Sequence, residues 1–323
     1  MNVFIILLSL SMSIFLGLII VPLLSKMKTT QTILHYVKEH DEKNGTPTMG
    51  GIIFIATISA VTLIFIPDRL ARFCLLMAVA SGFVGLLDDI AKVKFGKNMG
   101  LAPYQKIIAQ AVLAGVFGYY IWWNVGSQIS IPFFSVQVDI GVFIIPLLFV
   151  AFIATTNTVN LTDGLDGLCS VSVIACLLSL SGVVYFQMQT ANQSVLSYVQ
   201  SENFYLLIAV SVFSILGFLL FNANKASVFM GDVGSLFLGG LVVSLFAISK
   251  NIIYLTILGM PFVVSGVSDI LQVAYFKKTG GKRIFLMAPY HHHLQRKGLS
   301  ENKICVIYFI STMLLGLVVI CFI

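Results

Sequence analysis

The chain has 323 residues, 58% of them hydrophobic and only 10% charged, with a formal net charge of +6 and a mean hydropathy of +0.99. Soluble domains carry about 25% charged residues, so this composition excludes a water-soluble globular protein and points to an integral membrane one. Alternation of the outer-membrane barrel type is absent, and the apolar runs have the length of about 17 to 25 residues that a bilayer-spanning helix needs.

In chain order, apolar windows predict helices over 2–24, 48–66, 70–87, 103–121, 141–158, 168–186, 204–221, 232–249, 252–276 and 304–322. The expected fold is all-α: one polytopic transmembrane domain over 1–323 with ten transmembrane helices. Residues 1–25 hold no Lys or Arg, so the basic n-region of a cleaved signal peptide is missing and the first run is expected to be retained. Gly259 and Pro261 are expected to break the ninth span and Pro146 the fifth, at places where a polar cavity satisfies the freed backbone. Asp269 in the ninth should face that cavity rather than lipid.

Charge sets the orientation. Sixteen of the nineteen Lys/Arg fall in the 25–47, 88–102, 222–231 and 277–303 loops or at Lys106, against Arg69, Arg72 and Lys250 on the other side. The positive-inside rule makes the basic side cytoplasmic and places both termini outside. Ten of the thirteen carboxylates also lie on the basic side. Acidic residues contribute little to topology, so their concentration there needs a chemical reason. The five cysteines form no CxxC pair and read as small buried hydrophobes.

Five polar stretches punctuate that face. In "EKNGTPTMGG" (42–51), Gly45 and Pro47 make a turn and Thr48 can cap the next helix, while Lys43 and backbone amides offer contacts for an anion. In "GLLDDIAKVKFGK" (85–97), Lys92 is within helical pairing reach of Asp88 and Asp89. An ion pair explains one aspartate, but two adjacent ones repel, and neither gains from a helix C-terminus. In "NTVNLTDGLDGL" (157–168), Asn157 and Asn160 are three apart, as are Asp163 and Asp166, with Gly164 and Gly167 freeing the backbone. Capping accounts for Asp166 alone, and four polar side chains at membrane depth mark a site. In "FNANKASVFMGDVGSLFLGG" (221–240), Asp232 opens an apolar helix between glycines, as a cap or as a rigidly held carboxylate for a hard cation. In "MAPYHHHLQRKG" (287–298), three adjacent histidines on one short segment do not give tetrahedral zinc geometry unaided. With several aspartates and no cysteine cluster, magnesium suits this face better than zinc, and the histidines are left to contact phosphate or nucleotide.

A divalent ion, cations for phosphate oxygens and a base or nucleophile are the requirements of phosphoryl transfer. The chain has no G-x-x-x-x-G-K-[ST] and so is not a P-loop enzyme. A site at the membrane surface implies one lipid substrate and one from the cytosol.

"GTPTMGG", "DDIAK", "NTVNLTDGLDGL", "FMGDVGSL" and "APYHHH", in that order on ten spans, resemble the phospho-N-acetylmuramoyl-pentapeptide transferase family of the polyprenyl-phosphate N-acetylhexosamine-1-phosphate transferase superfamily. The resemblance covers the whole chain. It implies transfer of a phospho-sugar from UDP-N-acetylmuramoyl-pentapeptide to undecaprenyl phosphate in a bacterial cell membrane, giving lipid I and UMP with Mg²⁺. The site would be a cleft on the cytoplasmic face. The implied partners are those two substrates and membrane lipid, with no nucleic acid; a homodimer is allowed for. By the same resemblance Asp232 is the magnesium ligand, and Asp88 and Asp89 deprotonate or position the lipid phosphate. Lys106 and His291 join the catalytic set, while Asn157 and Asn160 support the diphosphate. Lys43, Gly164, Leu165, Asp166, Asn222 and Phe229 line the nucleoside pocket, and Thr48, Asp163, His292 and His293 complete the substrate-binding residues.

Two rivals remain at this stage. A sister transferase using UDP-N-acetylglucosamine shares most of these motifs, though "GTPTMGG" and the histidine run favour the muramoyl branch. A cation-coupled transporter predicts midplane polar residues in paired halves; here they cluster at helix ends and no repeat is visible.

Overall fold

The computed structural model describes residues 2–27, 45–95, 100–134, 136–190 and 202–323. The first helices are α1 (Asn2–Lys26), α2 (Ile52–Phe65), α3 (Arg69–Phe95) and α4 (Pro103–Asn124). A hairpin of β1 (Gln128–Ile131) and β2 (Val136–Asp139) follows, then α5 (Ile144–Thr162), α6 (Leu168–Thr190), α7 (Glu202–Asn222) and α8 (Gly231–Ile248). The chain ends with α9 (Leu255–Leu258), α10 (Met260–Lys278), α11 (Tyr290–Arg296) and α12 (Glu301–Ile320). Among the described residues eight helices are long and apolar enough to cross a bilayer, nine if the bent pair 252–258 and 260–278 is one span. The protein is therefore a polytopic helical membrane protein.

α8 organises the bundle. It is apolar on every side, and every residue from Val233 to Ile248 is buried, as a helix without a polar face requires. α3 and α5 flank it, α1 packs on α7, α6 on α12, and α4 on α5. Lipid is as apolar as a leucine side chain, so helix association here rests on close packing rather than on escape from water. Glycine supplies the closeness at two crossings. A Cβ on Gly85 of α3 would lie 2.7 Å from the Val233 nitrogen of α8, and one on Gly239 of α8 would lie 2.6 Å from the Thr156 Cα of α5.

Four local features depart from the sequence reading. α2 is only 14 residues long, shorter than the predicted 48–66. Its expected first turn is spent on backbone pairing with the start of α8: Phe229 N donates to the Pro47 oxygen (2.8 Å), Gly50 N to the Phe229 oxygen (2.8 Å) and Gly51 N to the Met230 oxygen (2.9 Å). Thr48 accordingly caps nothing, since Gly51 holds the N-cap position without a side-chain bond. Pro146 does not break the fifth span, because it falls in the first turn of α5, where N–H groups have no helical partner in any case. The antiparallel hairpin, with Gln128 opposite Asp139, was not foreseen: two four-residue strands are too short to carry a periodic signal. The break in the ninth span is where it was expected, with Gly259 closing α9, Pro261 in the first turn of α10, and a 79° bend between the two pieces.

Candidate active site

The end of α3 meets the beginning of α8, and their crossing at Gly85 puts three carboxylates together. One oxygen from each of Asp88, Asp89 and Asp232 lies within 4.8 Å of the others. Asp89 is fully buried, and its Oδ2 accepts a hydrogen bond from the Val233 N–H at 3.0 Å. α8 has no side-chain cap of its own, so a carboxylate of α3 serves its N-terminus, where the helix dipole favours negative charge. The other oxygen of Asp89, Oδ1, is buried with no hydrogen-bond partner among the described residues. Asp88 is satisfied on both sides, by Lys92 Nζ at 2.7 Å and by the Leu101 N–H at 2.7 Å.

Asp232 is the hub. Its Oδ1 accepts from Asn160 Nδ2 at 2.8 Å, while its Oδ2 meets Lys106 Nζ at 2.8 Å and Lys92 Nζ at 3.1 Å. Asn160 also donates to Ser235 Oγ at 2.8 Å, fixing its amide against α8. One turn away, Asn157 Nδ2 donates to Gln110 Oε1 at 2.8 Å, and Gln110 is buried. Two rungs one turn apart thus tie α4 to this end of α5, Lys106 and Asn160 through Asp232 and Gln110 with Asn157. Two lysines offset part of the charge of three clustered carboxylates. An all-oxygen donor set with one buried, unpartnered oxygen suits a hard cation, so the cluster can hold a metal ion.

The 163–168 turn builds the neighbouring wall. Asp163 lies outside the spans; burial first, then the charges of Asp232, Asp89 and Asp166, push its carboxyl well above the usual range. Asp166 is buried, and its Oδ2 accepts from the Ala226 N–H at 3.0 Å, bracing the 223–228 turn. Asn222 braces the same turn by donating to the Val228 oxygen at 3.0 Å. Leu165 packs in a small apolar cluster with Leu168, Ile304 and Tyr308. Phe229 joins the wall through its backbone bonds to Pro47 and Gly50.

α11 closes the opposite side. His291 is fully buried, its two ring nitrogens have no hydrogen-bond partner among the described residues, and its ring centroid lies 4.4 Å from that of His292. Both rings converge on Gly164, where an added Cβ would collide with His291 and lie 2.9 Å from His292 Nε2. Burial, then the neighbouring His292, hold the His291 pKa well below the ordinary histidine value. His293 turns away: its Nδ1 accepts from the Leu286 N–H at 3.1 Å, and its ring meets Phe285 and Tyr290. Thr48 is buried, with its hydroxyl unpartnered among the described residues and, like Asp89, against Gly231. Lys43 lies outside the described residues.

Three residues of this arrangement were not foreseen as site residues. Lys92 was paired with α3 only, although its reach extends to Asp232. Gln110 lies one turn beyond Lys106 on the same face of α4, and Ser235 one turn beyond Asp232 on α8. That helical spacing was the available signal.

Residues 71–250 match the Glycosyl transferase family 4 description, which defines the chain as a polytopic membrane transferase. Residues 43–55 match the phospho-N-acetylmuramoyl-pentapeptide-transferase signature 1. The chain is 41% identical over 309 residues to the phospho-N-acetylmuramoyl-pentapeptide-transferase of Clostridium botulinum (strain Eklund 17B / Type B), covering 95% of this chain and 91% of the relative. It is 42% identical over 311 residues to that of Clostridium perfringens (strain SM101 / Type A), with 95% and 91% covered, and 41% identical over 307 residues to that of Clostridium kluyveri (strain ATCC 8527), with 94% and 93% covered. The chain belongs to the phospho-N-acetylmuramoyl-pentapeptide-transferase family.

Proposed function

We propose that this chain transfers phospho-N-acetylmuramoyl-pentapeptide from its UDP conjugate to undecaprenyl phosphate, releasing UMP and forming lipid I. The reading includes ten membrane crossings with both termini outside, and a site on the cytoplasmic face of the cell membrane. The observation that carries it is the convergence of Asp88, Asp89 and Asp232 with Lys92 and Lys106 at the ends of α3 and α8. Family membership supplies the substrates.

An oxygen of the lipid phosphate attacks the phosphorus that carries the sugar. The bond from that phosphorus to the bridging oxygen breaks, and UMP leaves with the electron pair. Asp88 or Asp89 takes the proton of the lipid phosphate when it arrives protonated. Lys106 and Lys92 swing from Asp232 toward the phosphate oxygens and offset the repulsion between two anions. Asp232, with the free oxygen of Asp89 beside it, would hold Mg²⁺, which when bound supplies Lewis-acid charge to the diphosphate. Direct attack is preferred to an aspartyl intermediate because the lipid phosphate is already an anionic nucleophile. Trapping a covalent phospho-sugar adduct on the protein would reverse that preference.

The lipid tail has a place to lie. An apolar groove of about 270 Å³ runs between α5 and α10, lined by Ala151, Thr158, Leu255, Phe262, Val263 and Gly266. Asn157, Gly164, Asp166, Asn222, Phe229, His291 and His292 surround the donor.

The test is UMP release by purified protein in detergent, given the muramoyl donor and undecaprenyl phosphate, with and without Mg²⁺. Release that needs the lipid and the metal supports the reading. Release with UDP-N-acetylglucosamine and not with the muramoyl donor would assign the sister reaction instead.

A further inference from the structure

A second cavity lies between α10 and the segment that leads into α11. It measures about 270 Å³ and is walled by Val273, Phe276 and Met287, with three charged side chains at its edge: Asp269, Lys277 and Arg283. Those charges make no ion pair among the described residues, although opposite signs share one cavity. Asp269 and Lys277 are eight residues apart on one helix, or about 12 Å along its axis. That spacing explains why they do not neutralise each other.

The cavity is a built one. Gln272 of α10 is buried and staples the facing segment: its Oε1 accepts from the Ile284 and Phe285 N–H groups at 3.0 Å, and its Nε2 donates to the Phe285 oxygen at 3.1 Å. The Ser268 hydroxyl accepts from the Tyr290 N–H at 3.0 Å. These bonds place Arg283 on the cavity and, at the other end of the same segment, deliver His291 to Gly164.

We propose that this cavity receives the peptide arm of the donor, with an ammonium group of the peptide against Asp269 and free carboxylates against Lys277 and Arg283. A single amino acid, its charges a few ångströms apart, does not bridge about 12 Å of helix. An extended peptide at about 3.3 Å per residue does so in three to four residues. Val273, Phe276 and Met287 then cover the peptide's apolar side chains, and the route from cavity to His291 is the segment 287–291 itself. The inference rests on the transferase reading above and adds to it where the pentapeptide is read.

The experiment compares two donors, the full peptide conjugate and UDP-N-acetylmuramic acid without peptide, whose inhibition constant replaces KM if it does not turn over. In Lys277→Gln/Arg283→Gln, KM for the full donor rises about tenfold, and in Asp269→Asn about threefold, as expected for partly exposed ion pairs. kcat, KM for the lipid and the constant for the peptide-free donor stay at wild-type values. Acetylating the peptide amine raises KM on wild type to the level of Asp269→Asn and has no further effect on that variant. An unchanged KM for the full donor, an equal rise with both donors, or an effect confined to the lipid substrate would each overturn the inference while leaving the transferase reading intact. If wild-type protein processes no muramoyl donor, the transferase reading fails and the inference falls with it.

Discussion

The bundle buries polar groups at both ends, and the two ends treat them differently. At the hairpin end, Gln187 Nε2 donates to Asn251 Oδ1 at 2.9 Å, and Asn251 Nδ2 returns a bond to Gln187 Oε1 at 3.0 Å. Lys250, at φ +60°, accepts from the Ser130 N–H at its backbone oxygen and donates from its ammonium to Gln128 Oε1, each at 2.8 Å. At the site end, three carboxylates crowd together, Asp89 keeps a bare oxygen, and Thr48 and His291 keep unpartnered polar atoms among the described residues. A buried polar group that satisfies another is architecture; one held unsatisfied in a dry place raises the free energy of the empty protein. Thr62, Ser172 and Thr312 also keep a buried hydroxyl unpartnered among the described residues, so the contrast rests on the ionisable groups: a bare carboxylate oxygen and an unpartnered imidazole occur at the site end, where a ligand would relieve their cost.

The largest effect should come from the hub. Asp232→Asn removes the charge that Lys92, Lys106 and Asn160 converge on, and kcat for UMP release is expected to fall about 10³-fold or more. Loss of less than tenfold would remove Asp232 as the metal ligand and blur the contrast between the two ends. Gly164→Ala comes next. Its Cβ must displace the His291 and His292 rings, an overpacking cost of about 1–3 kcal/mol that should lower kcat/KM about tenfold to a hundredfold. Unaltered kinetics in that variant would show that the histidine rings can shift without consequence.

The sequence made much of the site end legible and little of the hairpin end, for physical reasons. Apolar periods locate nearly all the spans because the bilayer demands them. Asp88, Asp89, Asn160 and Asp232 stood out because polar and ionisable side chains at membrane depth are costly. Lys92 bridging two helices, Gln110 pairing with Asn157, and Asp89 capping a foreign helix were hidden, since each depends on partners 47 to 144 residues away. Asp166 was legible as polar but not as the brace of the 223–228 turn, because a turn's partner is set by packing. The hairpin went unseen altogether: its anchor, Lys250, reads as an ordinary loop lysine.

Asn251→Leu sharpens the comparison from the other side. It breaks the reciprocal amide pair at the fully buried Asn251 and removes both bonds that the half-buried Gln187 makes to it, at a cost of about 1–3 kcal/mol. The thermal midpoint in detergent should drop while kcat and KM per folded molecule stay at wild-type values. A matching loss of kcat would mean that the hairpin end reaches the chemistry.

The smallest effect concerns pH. His291 is held neutral by burial, with a pKa well below the ordinary value, whereas in the unfolded chain it titrates near about 6.5. Between those two values the unfolded state binds a proton that the folded state refuses. Stability contributed by the neutral ring is therefore complete above about pH 6.5 and is lost as pH falls toward the folded pKa. His291→Asn removes this one proton from the balance, so its thermal midpoint should fall less than that of wild type between pH 7.5 and pH 5.5. Asp163 works in the opposite sense. Its raised pKa makes the folded state the stronger proton binder above the unfolded carboxylate value of about 3.9, so its contribution is lost as pH rises. Asp163→Asn should then remove this decline, so its thermal midpoint falls less than that of wild type as pH rises from about 4 toward the folded pKa. If both variants lose stability in parallel with wild type across the range, neither group carries the proton linkage that the crowded site end implies.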